Sequence, residues 1–237
     1  MFALLQKMRS RRARRRVQSV ANNSPCEVLE DKTLLVGNVF ATMNAAGDLT
    51  LRGDGQANQV TVTSIANGVQ VLGTGGTRIN GLPVPTLFPG ASITDINARL
   101  RGGNDSLTIR ADVGGDVDAR MGGGSDIVTI LDTSVGGDTD INVGAAFPGL
   151  PEVVTINATT IDGEMNLRGG GGQQRFIITT STVIGPSSVR MGGGRDFLNT
   201  SATNFVSGLQ ADGGGGAFDT FINIGASATH RRFELFT

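Results

Sequence analysis

From about residue 91 onward, apolar positions recur with period two, and the alternating runs return about every 22 residues. The run Val117-Asp-Ala-Arg-Met121 alternates apolar and polar, crosses Gly122-Gly-Gly-Ser-Asp126, and resumes as Ile127-Val-Thr-Ile130. Such alternation places one set of side chains on one face of a strand, whereas helical spacing fails throughout. Aligning the last apolar residue before each glycine cluster gives Leu100, Met121, Val143, Leu167, Met191 and Ala211, at spacings of 21, 22, 24, 24 and 20. Two residues earlier stand Ala98, Ala119, Ile141, Met165, Val189 and Leu209, which face the same way. Between the two columns lie Arg99, Arg120, Asn142, Asn166, Arg190 and Gln210, all polar and predicted outward. After each turn the inward pairs read Leu107/Ile109, Val128/Ile130, Val154/Ile156, Ile177/Thr179, Leu198/Thr200 and Phe221/Asn223. A third inward column is expected at Val113, Val135, Ile161, Ile184 and Val206.

Three short strands in roughly 22 residues predict an all-β fold, a parallel β-solenoid or β-helix. Each coil covers its inner face only by stacking on its neighbours. Six coils at about 4.8 Å make a stack of about 29 Å. The chain divides into a basic segment at 1–36, an N-terminal β cap at 37–90, and the solenoid with a short C-terminal cap at 91–237. Within the cap, Gly47–Gly55 and Asn58–Val62 look like one more turn-and-strand unit, while Asn67-Gly68 and Asn80-Gly81 read as tight hairpin turns. Pro148 and Pro151 bracket an insertion. The thin C-terminal cover, His230-Arg-Arg-Phe-Glu-Leu-Phe236, leaves an edge open to pairing, so self-association is expected.

Composition narrows the chemistry. Glycine stands at 36 of 237 residues without a three-residue period, which excludes collagen. A hydrophobic content of 38% suits a core one side chain deep. With one Cys (Cys26) and one His (His230), neither an internal disulfide nor a Cys/His metal cluster can form. The net charge of −1 conceals a split: residues 1–40 carry +5 and residues 41–237 carry −6. Every basic residue after position 40 is Arg.

Seven of the ten residues from Lys7 to Arg16 are basic. Three readings stay open: a solvated tail, a nucleic-acid arm and a targeting segment. The following Val17-Gln-Ser-Val-Ala-Asn-Asn is too polar for a secretory core, and no stretch reaches the length of a membrane span. An acidic body without aromatic platforms disfavours nucleic acid. Leu29-Glu-Asp-Lys-Thr-Leu-Leu35 resembles the N-terminal LEPR-XLL motif of planctomycete extracellular proteins. Leu29, Glu30, Leu34 and Leu35 match, with Asp31 in place of proline and Lys32 in place of arginine. The resemblance implies a secreted or cell-surface protein with an N-terminal sorting segment and surface or matrix partners.

Gly122-Gly-Gly-Ser-Asp126 and Gly192-Gly-Gly-Arg-Asp196 resemble the calcium-binding RTX nonapeptide, with Gly102-Gly-Asn-Asp105 a weaker match. The resemblance implies Asp105, Asp126, Asp196 and Asp219 as calcium ligands, since calcium takes six to eight oxygens. Against it, the coil exceeds the RTX length and the aspartate column runs on into Glu152 and Arg175. The competing reading has each Asp closing its own turn by a backbone hydrogen bond, with glycine supplying positive φ. Asp118, Asp140 and Glu164 beside Arg99, Arg120 and Arg190 resemble the carboxylate and arginine faces of β-helix polysaccharide lyases and hydrolases; solvent-screened ion pairing explains them more simply, since no long loop walls a groove and Trp and Tyr are absent. Arg52-Gly53-Asp54 falls in a turn built from these residue types in most repeats, so the tripeptide reads as coincidence. His230 has no nucleophile beside it in sequence, and the expectation is a solvent-facing residue. The late phenylalanines, Phe176, Phe197, Phe205, Phe218 and Phe221, are expected to stack in the solenoid. The function expected is therefore a non-enzymatic structural, adhesion or matrix module, with a calcium-dependent solenoid and a polysaccharide lyase or hydrolase as alternatives.

Overall fold

A computed structural model describes residues 37–145, 149–216, 218–223, 228–233 and 235–236. The basic segment, the LEPR-XLL-like stretch and Cys26 lie outside the described residues. The described residues are all-β, and their strands coil into a parallel β-solenoid.

The first sheet stacks Leu49–Arg52, Ile96–Arg99, Val117–Arg120, Thr139–Asn142, Met165–Arg168, Ser187–Arg190, Leu209–Asp212 and Ala228–Arg231, each parallel to the next. The second stacks Gln59–Ile65, Ser106–Arg110, Ile127–Leu131, Glu152–Asn157, Gln174–Thr179, Phe197–Asn199 and Thr220–Ile222 in the same way. A third, shorter sheet closes the coil through Ser134–Val135, Thr160–Ile161, Thr182–Val183 and Asn204–Phe205. The expected turn-and-strand unit before residue 90 is thus a full member of both large sheets. Around it, Asn38–Met43 pairs antiparallel with Leu49–Arg52, and Gly68–Gly73 pairs antiparallel with Gln59–Ile65. Asn80-Gly81 forms the expected two-residue hairpin, with both residues at positive φ and Ile79 and Leu82 exchanging backbone hydrogen bonds.

Register corrects the column assignments. Ile141 pairs with Leu167 and Leu167 with Val189, so Met165 belongs two residues earlier, in line with Val117 and Thr139. First-sheet strands therefore begin 21, 22, 26, 22 and 22 residues apart from Ile96 to Leu209. All extra length sits in the one insertion after Val143, because a strand held in register tolerates length changes only in its turns. The same count makes Phe176/Ile178 the buried pair, while the expected Ile177 and Thr179 turn outward. It likewise places Val183 and Phe205 in the third column, leaving Ile184 and Val206 exposed. The third corner needs a left-handed residue in each of four successive coils: Asp132, Ala158, Thr180 and Ala202, with φ of 52, 50, 53 and 55°. Of the late phenylalanines, Phe176, Phe205 and Phe221 are buried, whereas Phe218 is 69% exposed. Phe197 lies under the Arg175 guanidinium, 4.7 Å from ring centre to Cζ.

Truncation tests the register. Phe176→Ala is expected to cost about 3–5 kcal/mol in urea unfolding, and Ile177→Ala within about 1 kcal/mol. Equal losses at the two positions would contradict this arrangement.

Candidate functional site

The residue entering each second-sheet strand is polar and enclosed. The column runs Asn58, Asp105, Asp126, Glu152, Gln174, Asp196, Asp219, and each member is at most 2% exposed. Gln174 takes the place where Arg175 was expected, one residue earlier, by the same shift that turned Phe176 inward.

The aspartates bond to the coil before them, not to their own turns as expected. The Asn58 amide N–H donates to Asp105 Oδ1 at 2.8 Å, and the Asp105 amide to Asp126 Oδ1 at 2.8 Å. The Gln174 amide donates to Asp196 Oδ1 at 2.8 Å, and the Asp196 amide to Asp219 Oδ1 at 2.9 Å. These amides precede the regular ladder, so a side-chain oxygen stands in for the missing strand carbonyl. The glycines of the preceding turn are fixed by the same closeness. A Cβ on Gly122 would overlap the Arg101 carbonyl, and one on Gly192 the Gly170 carbonyl; both glycines also adopt positive φ.

Each carboxylate has a second oxygen to satisfy. Among the described residues, Asp105 Oδ2, Asp126 Oδ2, Glu152 Oε1 and Asp196 Oδ2 have no hydrogen-bond partner. Two amides in the column soften the stack: Asn58 Nδ2 donates to Asp105 Oδ1 at 3.2 Å and Gln174 Nε2 to Glu152 Oε2 at 3.1 Å. Burial dominates and pushes the acids up, Asp105 and Glu152 to about 7, Asp126 and Asp196 to about 6. Neighbouring carboxylates add to the rise, Asp126 against Asp105 and Asp126 then Asp196 against Glu152.

A cation at this corner would have to draw on this donor set. The four expected ligands, Asp105, Asp126, Asp196 and Asp219, stand in single file, one per coil, and in all four one oxygen accepts a backbone amide. No three His, Cys, Asp or Glu side chains among the described residues converge as a cage.

A second acid ladder went unnoticed in the sequence. At the corner before the first sheet, Asp95, Asp116 and Asp138 Oδ1 accept the amides of Asp116, Asp138 and Glu164 at 2.8, 2.8 and 2.7 Å. Its signal is Gly115-Asp116 and Gly137-Asp138 immediately before a strand. Glu164 thereby leaves the outer-face column, where Asn166 stands beside Asp140. Asp118 there pairs with Arg99 at 3.9 Å and Arg120 at 3.2 Å. The arginine column also changes: Arg168 and Asp212 occupy the positions given to Asn166 and Gln210. Asp212 meets Arg232 and Arg231, and the Arg232 hydrogen bond foremost holds it down at about 2. His230 is exposed, as expected, but its ring packs edge-on to Phe221 at 5.8 Å. No family model, curated protein or solved structure matches the chain.

The buried acids set a pH dependence. Their folded pKa values lie above the unfolded range near 4, so between about pH 4 and 7 the folded state keeps protons that the unfolded state releases. Stability must fall as pH rises through that window and level off above it. Asp212 works the opposite way and weakens the fold as pH drops from about 4 toward 2. The melting midpoint is expected to peak near pH 4–5 and to lie at least about 2–4 °C lower at pH 8, an effect on the order of 1 kcal/mol. Asp126→Asn keeps an oxygen in place for the Asp105 amide and removes a charge. The variant should gain on the wild type as pH rises from 5 to 8. A difference that is constant with pH would refute the buried-proton account.

Proposed function

We propose that the chain is a non-enzymatic secreted or cell-surface β-solenoid that serves as a structural, adhesive or matrix module. The observation that carries this reading is the unbroken coil-to-coil register from Leu49 to Arg231, which holds outward polar columns at fixed spacing. A surface built this way suits a repetitive or extended partner. The basic N-terminal cluster and the LEPR-XLL-like stretch supply the case for export. The test is to express the full chain and a deletion of residues 1–36 in a planctomycete host, and to fractionate the cells. The full chain is expected in the envelope or medium and the deletion in the cytoplasm. Cytoplasmic retention of both would overturn the reading.

A second reading, a calcium-dependent solenoid, draws on the buried oxygens of Asp105, Asp126 and Asp196 that lack partners. Calcium and protons would neutralise the same column by different means. Repeating the pH 8 melts in EDTA and then in excess Ca²⁺ separates them. A rise with Ca²⁺ supports the metal; an unchanged midpoint leaves the proton.

A further inference from the structure

We propose that the outer face of the first sheet binds a linear anionic polysaccharide laid across the strands, its carboxylate or sulfate groups resting on a column of arginines. Register aligns Arg52, Arg99, Arg120, Arg168 and Arg190, interrupted once by Asn142, and all are exposed. Neighbouring positions in such a column are about 4.8 Å apart. Like charges directly opposite one another destabilise a sheet unless something neutralises them. Arg99 and Arg120 share Asp118, at 3.9 and 3.2 Å. Arg52, Arg168 and Arg190 make no ion pair with any described residue. Three guanidinium forks therefore face solvent with their donors unused.

Shallow depressions follow the same line. One of about 400 Å³ is lined by Arg52, Arg99 and Arg101; another of about 220 Å³ by Arg120 and Arg168; a third of about 300 Å³ includes Arg190. The guanidinium fork takes a carboxylate or sulfate through two parallel hydrogen bonds, a geometry that lysine lacks. The choice of Arg at every basic position after 40 fits that task.

Charge alone would admit any polyanion, and the adjacent column selects among them. It reads Thr50, Asn97, Asp118, Asp140, Asn166 and Ser188. Hydroxyl and amide groups there can bond to sugar hydroxyls, and the two aspartates accept hydrogen bonds from them. Against a phosphodiester chain the same aspartates only repel. One exposed ring, Phe40, stands at the end of the arginine column in register with Arg52, and a single ring makes no platform for successive stacked bases. A sugar polymer with spaced acidic groups meets all of these conditions. The inference names a partner for the module proposed above, but binding is a property of the purified chain and does not depend on where the cell places it.

Calorimetric titration of the full-length chain tests it, using polygalacturonate, a sulfated galactan, an uncharged galactan of similar length, and single-stranded poly(dT). One or both charged glycans should bind at low salt and weaken as salt rises. Carboxylated and sulfated arms report which acid group is preferred. Combining Arg52→Gln, Arg168→Gln and Arg190→Gln should weaken binding about tenfold, from three exposed charge contacts of ordinary strength. Arg110→Gln, on the second sheet, should leave it unchanged. If the triple Gln variant melts below wild type, the corresponding triple Lys variant replaces it and should still bind severalfold more weakly. No binding of either charged glycan, undiminished binding by the folded variant, or equal affinity for poly(dT) would overturn the proposal. Such a failure alongside export of the chain would remove the glycan and leave the module.

Discussion

In-register backbone pairing between successive coils is the constraint on which the rest of this molecule depends. Each strand donates and accepts along its neighbour above and below, so a residue's place in one coil decides what stands over it in the next. A slip of one residue would turn every inward side chain outward. That penalty forces the four extra residues of one coil into the insertion after Val143 and keeps the later strands in step. It also converts single residue choices into columns: leucine and isoleucine over each other in the core, arginine over arginine outside, acid over acid at the corner.

The corner column shows what the constraint costs. An aspartate that rescues a stranded amide of the coil before it is useful locally, yet stacking sets Asp105, Asp126 and Glu152 in a row, and Asp196 and Asp219 beyond Gln174, in a dry environment. Proteins resolve such crowding by neutralising charge or alternating it with neutral partners. Here Asn58 and Gln174 do the second, and raised pKa values in Asp105, Asp126, Glu152 and Asp196 do the first. On the outer face the same stacking of like charges costs less than in the interior, because water screens it, and the remaining repulsion leaves a surface that favours a neutralising partner.

Much of this organisation was legible in the sequence. The period-two runs and the glycine turns identified the solenoid, the coil length and most of the core, because those features are local. What failed was register beyond the insertion. Phe176, Val183 and Phe205 were each displaced by one position, and Met165 and Arg168 by two, since aligning on glycine clusters spread the extra residues over two coils. Strand pairing, which the sequence does not display, restores the count. The partners of the aspartates were hidden for a related reason: the amide each accepts lies a full coil away, while turn chemistry suggests a nearby one. The ladder at Asp95, Asp116 and Asp138 is hidden in the same way, because a short Gly-Asp step carries little signal and each accepted amide lies one coil on.

The central claim is that register encloses a column of acids whose pKa values burial raises. Carbon-13 NMR titration of the side-chain carboxyl groups measures this directly in the intact chain. Asp105 and Glu152 are expected to titrate near pH 7 and Asp126 and Asp196 near pH 6. Midpoints near 4 for these four residues would contradict it, and with it the enclosed column.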